Sequence, residues 1–261
     1  LMNRNYNWEN KEERAMIAQK HTNEMKQRYS KETAYSVQNT TIYNSDHIFP
    51  QLSKEVSPKF LTEDLDSVSA IFKHHSNKIA VLNFASFKNP GGAFLNGARA
   101  QEECLCHESN LYNILSQFQD GFYKPNLKCL NRSLYRNKAL YSKDVLFLHN
   151  QQEIKCDVIT CAAPNYKAAH RFQRVTQEEN FTVLESRIKF IIDIAEEQQV
   201  ETLILGAFGC GVFGQDPKEV AQLFKKYLAK TSYIHNVIFA IPNTNRDRNY
   251  SVFMKIFEIY K

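Results

Sequence analysis

The chain has 261 residues, 43% of them hydrophobic, with 18 Phe, 13 Tyr and a formal charge of +5. That is enough apolar material for one large α/β domain with a helical attachment, and 23% charged residues of interspersed sign exclude a disordered chain. No apolar run approaches the roughly 20 residues that span a bilayer, so a membrane protein is not expected. The mild basic excess suits an anionic ligand without being the footprint of a DNA-binding protein.

The polar start, Leu1–Asn10, lacks the apolar segment of a secretory leader. Residues from about 9 to 38 carry Glu, Lys, Gln and Ala without Gly or Pro, which predicts one helix. A weak strand is expected at Thr40–Tyr43, then a loop punctuated by Pro50 and Pro58. Thr62 is read as an N-cap for a helix that Asp64 and Leu65 open and that runs to about His74. The expected division is a helical extension over residues 1–60 and a core over 61–261.

From there strands and helices alternate. Ile79–Phe84 reads as a buried strand, Asn89–Gly97 as a glycine-rich loop, and Ala98 to about Phe118 as a helix. Val145–Leu148 and Val158–Cys161 read as strands, Glu178 to about Gln198 as a long helix, and Thr202–Leu205 as a buried strand. A second glycine-rich loop covers Gly206–Gly214. Asp216 and Pro217 then suit the N-cap and first position of a helix to about Leu228. Asn236–Ile241 is a further strand and Tyr250–Ile259 a closing helix. The alternation implies a largely parallel sheet covered on both faces, with ligands held in the loops beyond the strand carboxyl ends.

The six cysteines (104, 106, 129, 156, 161 and 210) form no C-x-x-C pair, and three fall in or just after apolar runs. They read as reduced thiols in the cytoplasm or another reducing compartment. Cys104, Cys106 and His107 are close in sequence, but on a helix they diverge and lack a second ligand pair. Neither a metal nor a cofactor is expected.

Two loops carry chemistry. In the first, Asn89-Pro-Gly-Gly-Ala-Phe-Leu-Asn-Gly-Ala-Arg-Ala-Gln-Glu-Glu103 runs from a strand into a helix. Gly91 and Gly92 allow close backbone approach to a ligand, and the helix start favours negative charge. Glu102 and Glu103 project about 100° apart, so they cannot play one role: one suits a sugar hydroxyl and the other a leaving oxygen. Residue pattern alone leaves open the plainer reading, acids that merely complement a helix dipole.

In the second loop, Gly206-Ala-Phe-Gly-Cys-Gly-Val-Phe-Gly214 precedes the Asp216 helix, an arrangement suited to a diphosphate. Gly209, Gly211 and Gly214 formally match G-x-G-x-x-G, yet no Asp or Glu lies between Glu219 and Asp247 to hold a ribose, and no Gly-Lys-Ser/Thr follows. A phosphate cradle outside the dinucleotide-binding plan is the better reading. Phe208 and Phe213 are both candidates to stack on an adenine or to fill the core. Arg171 and Arg174 are available to phosphates, though nothing in the pattern selects them.

These segments, together with Cys161-Ala-Ala-Pro-Asn165, resemble the signature of the bacterial-type (microbial) poly(ADP-ribose) glycohydrolases over roughly residues 5–245. The resemblance implies an α/β fold, a three-layer α/β/α macrodomain sandwich preceded by a helical extension. It implies Glu103 as the catalytic acid and Glu102 as the residue that positions the ribose beside the cleaved bond. It further implies that the loop with Asn89, Gly91, Gly92 and Ala93 wraps the distal ribose, that Gln101 is among the substrate-binding residues, and that Gly209, Cys210, Gly211, Val212, Phe213 and Gly214 hold the diphosphate. Two positions depart from the family. Its third loop glycine is Ala93 here, whose methyl would shift the loop or narrow the substrates, and its usual Asn after the late loop is Gln215.

The implied substrate is poly(ADP-ribose) or a mono-ADP-ribosylated protein, with arginine or acidic linkages as the mono-ADP-ribosyl forms. A non-catalytic ADP-ribose reader and a different phosphate-ribose hydrolase are the competing readings. The presence of both glutamates argues against the reader.

Overall fold

The computed structural model describes residues 10–52, 55–245 and 247–258. The polar start read at Leu1–Asn10 therefore lies, but for Asn10, outside the described residues, as does the last residue of the helix expected to close at Ile259.

The elements in chain order are α1 (Lys11–Arg28), α2 (Ser30–Gln38), β1 (Thr40–Asn44), β2 (Lys59–Glu63), α3 (Ser67–Lys73), β3 (Ile79–Phe84), α4 (Gln101–His107), α5 (Leu111–Leu115), α6 (Lys124–Asn126), β4 (Lys138–His149), β5 (Gln152–Cys161), α7 (Tyr166–Gln173), α8 (Gln177–Glu197), β6 (Thr202–Leu205), α9 (Pro217–Tyr227), β7 (Asn236–Ala240) and α10 (Asn249–Phe257). The strands form one sheet in the order β1-β4-β5-β3-β6-β7-β2. Five neighbours from β5 to β2 run parallel, whereas β1 and β4 are antiparallel to their partners.

Alternation along the central strands sends side chains to two separate cores. Ala80 and Leu82 of β3, Leu203 and Leu205 of β6, and Val237 and Phe239 of β7 pack with α8, α9 and α10. Ile79 and Val81, Ile204, and Ile238 pack on the opposite face with α3, α4 and α5, where Ala18 of α1 joins them. The result is the expected three-layer α/β/α sandwich. The division expected at residue 60 passes between β1 and β2, which are both strands of this sheet.

Four sequence expectations are corrected. The single helix over 9–38 is two, broken at Tyr29, whose ring is buried and whose hydroxyl donates to Glu153 Oε1 at 2.6 Å. Thr62 caps nothing. It sits in β2, an edge strand in register with β7, and the cap of α3 is Asp66, which accepts from Ser69 N at 2.8 Å. The helix expected from Ala98 starts at Gln101 and stops at His107. Residues 108–110 leave it because they hydrogen-bond along β4: Leu148 N donates to the Glu108 carbonyl at 2.7 Å and Asn110 N to the Leu146 carbonyl at 3.1 Å. Finally, α7 was not anticipated. Asn165 caps it by accepting from Ala168 N at 3.1 Å.

Candidate active site

The first loop leaves β3 at Phe84 and turns back on itself before α4. Gly91 and Gly92 have φ of +66° and +63°, a region that glycine enters without strain. Gly92 also has no room for a side chain: a Cβ there would lie 2.5 Å from Glu103 Oε1 and 3.0 Å from Glu102 Oε2. The two carboxylates therefore meet at one glycine. Ala93 has φ −113°, which any residue adopts, so the change from the family's third glycine leaves the backbone undisturbed.

Each carboxylate is held by protein donors. Glu103, 6% exposed, accepts from Ala93 N and from Ala100 N, both at 2.9 Å, so its own side chain closes the helix start. Those bonds use two of about four lone-pair directions on a carboxylate. Glu102, 3% exposed, accepts from Ser86 N at 2.7 Å and from Asn83 Nδ2 at 3.2 Å. Burial pushes the Glu102 carboxyl up to about 8, against the pull of those hydrogen bonds, and the Glu103 charge beside it acts in the same direction. Asn83 Oδ1 has no partner among the described residues and stands ready to accept a proton-bearing group from this side. Gln101 is a clamp: its Oε1 accepts from Phe84 N at 2.8 Å and its Nε2 donates to the Leu82 carbonyl at 2.8 Å, fixing α4 to the end of β3.

The late loop follows β6. Gly209 and Gly214 have φ of +76° and +73°, and added Cβ atoms would meet Ala163 and Gln215, or Lys167. Gly211 differs, because an added Cβ there meets nothing within 4 Å. Gln215, where the family usually has Asn, is a buried fastening. Its Nε2 donates to the Pro164 carbonyl at 2.7 Å, and it exchanges amide hydrogen bonds with Asn180 at 2.9 Å. The longer side chain thereby ties the late loop to the β5–α7 connection and to α8.

A cleft of about 800 Å³ opens at the carboxyl ends of β3, β5, β6 and β7, the size and place of a small-ligand site in such a sheet. Gln101, Gly209, Gly211, Val212 and Phe213 line it. Asn89, Gly91, Gly92, Ala93, Glu102, Glu103, Cys210 and Gly214 are not among its lining residues; the first six belong to the β3–α4 segment whose Ala100 and Gln101 do line it, and the last two to the late loop. Phe213 joins the two parts: it lines the cleft and lies 6.4 Å from Tyr135, whose ring stacks on Phe87 of the first loop at 4.4 Å. Phe208 is fully buried against Phe84, so it belongs to the core and only Phe213 is left to meet a ligand.

Several site residues escaped sequence reasoning. Asn83 is a polar residue in an otherwise apolar strand, a pattern that flags a buried partner. Arg187 of α8 is fully buried and donates to the Ala162 and Tyr135 carbonyls and, at 2.7 Å, to Asn137 Oδ1. It thus supports the cleft wall from below with carbonyl dipoles in place of a carboxylate. Burial lowers its pKa from the ordinary arginine value. Among the described residues no group of His, Cys, Asp or Glu could hold a metal ion, and no helix is long and apolar enough to cross a membrane.

The sequence pattern of the family described as microbial-type PARG, catalytic domain, matches residues 10–150. No curated protein sequence matches the chain. Among solved structures, the poly(ADP-ribose) glycohydrolase of Thermomonospora curvata is similar over 94% of this chain and 100% of that one, with 27% identity and a TM-score of 0.84. The same organism's enzyme bound to the inhibitor ADP-HPD has 26% identity and a TM-score of 0.81 over 94% and 99% of the two chains. The Deinococcus radiodurans enzyme in complex with ADP-ribose has 27% identity and a TM-score of 0.75 over 87% and 97%.

Proposed function

The chain belongs to the family of microbial-type poly(ADP-ribose) glycohydrolases, glycosidases that cleave the ADP-ribose glycosidic bond, and from that premise we propose how its own residues perform the reaction. The substrate is poly(ADP-ribose), the polymer named for the similar enzymes. No observation favours an arginine-linked or acid-linked ADP-ribosyl protein over it.

One observation carries the assignment: Glu102 and Glu103 converge on Gly92, and they directly follow Ala100 and Gln101, which line a cleft together with Gly211, a glycine with open space around it. The diphosphate lies along Gly209–Gly214, and the distal ribose lies between Asn89–Ala93 and Glu102. Glu102, whose carboxyl burial pushes up to about 8, hydrogen-bonds a ribose hydroxyl. Glu103, in its carboxylic acid form, gives its proton to the leaving oxygen as the bond to the anomeric carbon breaks and is left as the carboxylate. It then takes one from the water that attacks this carbon, so that ADP-ribose and the shortened acceptor are the products. The nearby diphosphate offsets the positive charge that develops on the sugar.

The division at residue 60 is part of the same proposal, with the N-terminal helices acting as a brace. Arg14 Nε donates to the Gly97 carbonyl at 2.7 Å, and His21 contacts the Ser109 carbonyl at 2.8 Å. Phe94 of the first loop is packed edge-on between His21 and His107. Burial lowers His107 to about 3, which keeps it neutral in that contact.

The test is Glu103→Gln. Turnover of auto-modified poly(ADP-ribose) should fall roughly 10²–10⁴-fold, the usual worth of a positioned acid, while calorimetry still detects ADP-ribose binding. Turnover close to wild type would remove Glu103 from the mechanism. Loss of ADP-ribose binding in the unaltered protein would remove the cleft assignment.

A further inference from the structure

The strand order sets a direction on the cleft. The carboxylates stand beyond β3 and the open loop beyond β6, so an ADP-ribose unit with its sugar at the first and its diphosphate at the second places adenosine beyond β7 and β2. Asp66 and Asp247 line that end. The flank of β3 opposite β6 is β5, and the helix that follows β5 is the surface this leaves for whatever is joined to the sugar.

The surface there has the opposite charge. From Cys161 to Gln177 the chain contains no carboxylate and carries Lys167, Arg171 and Arg174. Its helix, α7, begins against the late loop: Lys167 N donates to the Phe213 carbonyl at 3.0 Å, and Lys167 Cβ is the atom nearest Gly214. Arg171 lies one turn further along the same face. Phe172 is 68% exposed, and the Arg171 guanidinium lies 5.2 Å from its ring centre. Arg174 follows as the helix cap. Neither arginine has an ion-pair partner among the described residues. Glu179, a close carboxylate in sequence, is already held by Arg132 and accepts from Thr176 N.

A single exposed apolar side chain is ordinary on a protein surface. An exposed aromatic ring with one guanidinium against it and a second arginine two residues further on, neither in an ion pair among the described residues, is more particular, because it offers a π-face to a base and planar donors to a diphosphate. We propose that the outer face of α7 is a docking surface for the polymer beyond the scissile bond. It takes the ADP-ribose unit that bears the leaving oxygen, with its base on Phe172 and its diphosphate on Arg171 and Arg174. This rests on the reading of the cleft given above.

The experiment measures binding with cleavage switched off. In the Glu103→Gln protein, with and without the pair Arg171→Ser and Arg174→Ser, the affinity for end-labelled poly(ADP-ribose) is followed by fluorescence anisotropy across a salt series, and that for free ADP-ribose by calorimetry. The double change should leave ADP-ribose affinity within about twofold, weaken the polymer at least about 10-fold, and reduce the slope of log K against log salt by about 1, as expected for up to two lost phosphate contacts at ~0.7 each. Phe172→Ser should weaken the polymer about fivefold or more with the slope unchanged, since stacking is uncharged. Unchanged polymer affinity and slope in the double variant would overturn the docking surface. If the parent protein binds polymer but not ADP-ribose, the cleft assignment fails instead, and the α7 variants still report on the surface.

Discussion

The two glycine-rich loops look alike in sequence and differ in what their glycines answer to. In the first loop the constraint comes from the protein. A side chain at Gly91 would strike the Tyr112 ring at 2.7 Å, and one at Gly92 would displace the two carboxylates. In the late loop Gly209 and Gly214 are constrained in the same way, but Gly211 is required by neither backbone nor neighbours. A glycine that the protein needs shapes the site, whereas one that it does not need leaves room for a ligand.

The sharpest way to break this contrast is Gly92→Ala. The change puts a methyl where Glu103 Oε1 now stands and forces a left-handed conformation that costs a non-glycine residue about 1–2 kcal/mol. Polymer turnover should drop by about 10²-fold or more, because carboxylates displaced by an ångström lose their alignment. Turnover within a fewfold of wild type would show that the pair tolerates movement and that its contact with Gly92 is incidental.

Glu102→Gln probes the same knot through pH. The folded protein keeps a proton on Glu102 up to about pH 8, while the unfolded chain releases it near the ordinary 4.5. The corresponding stability is fully present below about pH 4.5 and is lost as pH rises through 8. The unfolding free energy from urea titration should therefore fall between pH 5 and pH 9 in the wild type, by an amount on the order of 4 kcal/mol, and fall much less in the variant. Asn83 Oδ1 is free to accept from the new amide after a flip of its own. Equal pH dependence in the two proteins would mean that Glu102 is ionised at neutral pH.

Gly211→Val tests the other half of the contrast. Its open surroundings predict no loss of stability, and its place on the cleft wall predicts ADP-ribose binding weakened by about 10-fold or more. Thermal unfolding and calorimetry on one sample separate the two. A lowered melting point with unchanged affinity would return Gly211 to a merely structural role.

What could be read from the sequence follows how local its cause is. β3, β6 and β7 are short apolar runs between turns, and Asp216-Pro217 states the start of α9, where Asp216 Oδ1 accepts from Lys218 N and Glu219 N as a cap should. The glutamate pair and the late loop stood out because their residues are contiguous. β2 did not, because Lys59–Glu63 is a half-exposed edge strand whose sheet partner among the described residues, β7, is over 170 residues away. Nor did the early half of β4, where Lys138–Ser142 is ordered by antiparallel pairing on both sides. The fastenings of the site were hidden for the same reason: Gln215 with Asn180 and Arg187 with the Ala162 carbonyl are contacts between segments, which no window of sequence displays.

Ala93 gives the smallest predicted effect and the finest test of the contrast. The resemblance to the family raised the prospect that its methyl crowds the sugar. Its φ of −113° shows that alanine meets no backbone penalty, and its amide already serves Glu103 at 2.9 Å. Restoring the family's glycine by Ala93→Gly should therefore leave polymer turnover within about twofold. It should lower stability by about 0.4–1 kcal/mol, through the greater freedom of glycine in the unfolded chain, a melting shift of about 1–4 °C for a chain of this length. A rise in turnover of fivefold or more, with KM reduced, would instead place the methyl against the substrate. Position 93 would then join Gly211 as a residue chosen by the ligand and not by the fold.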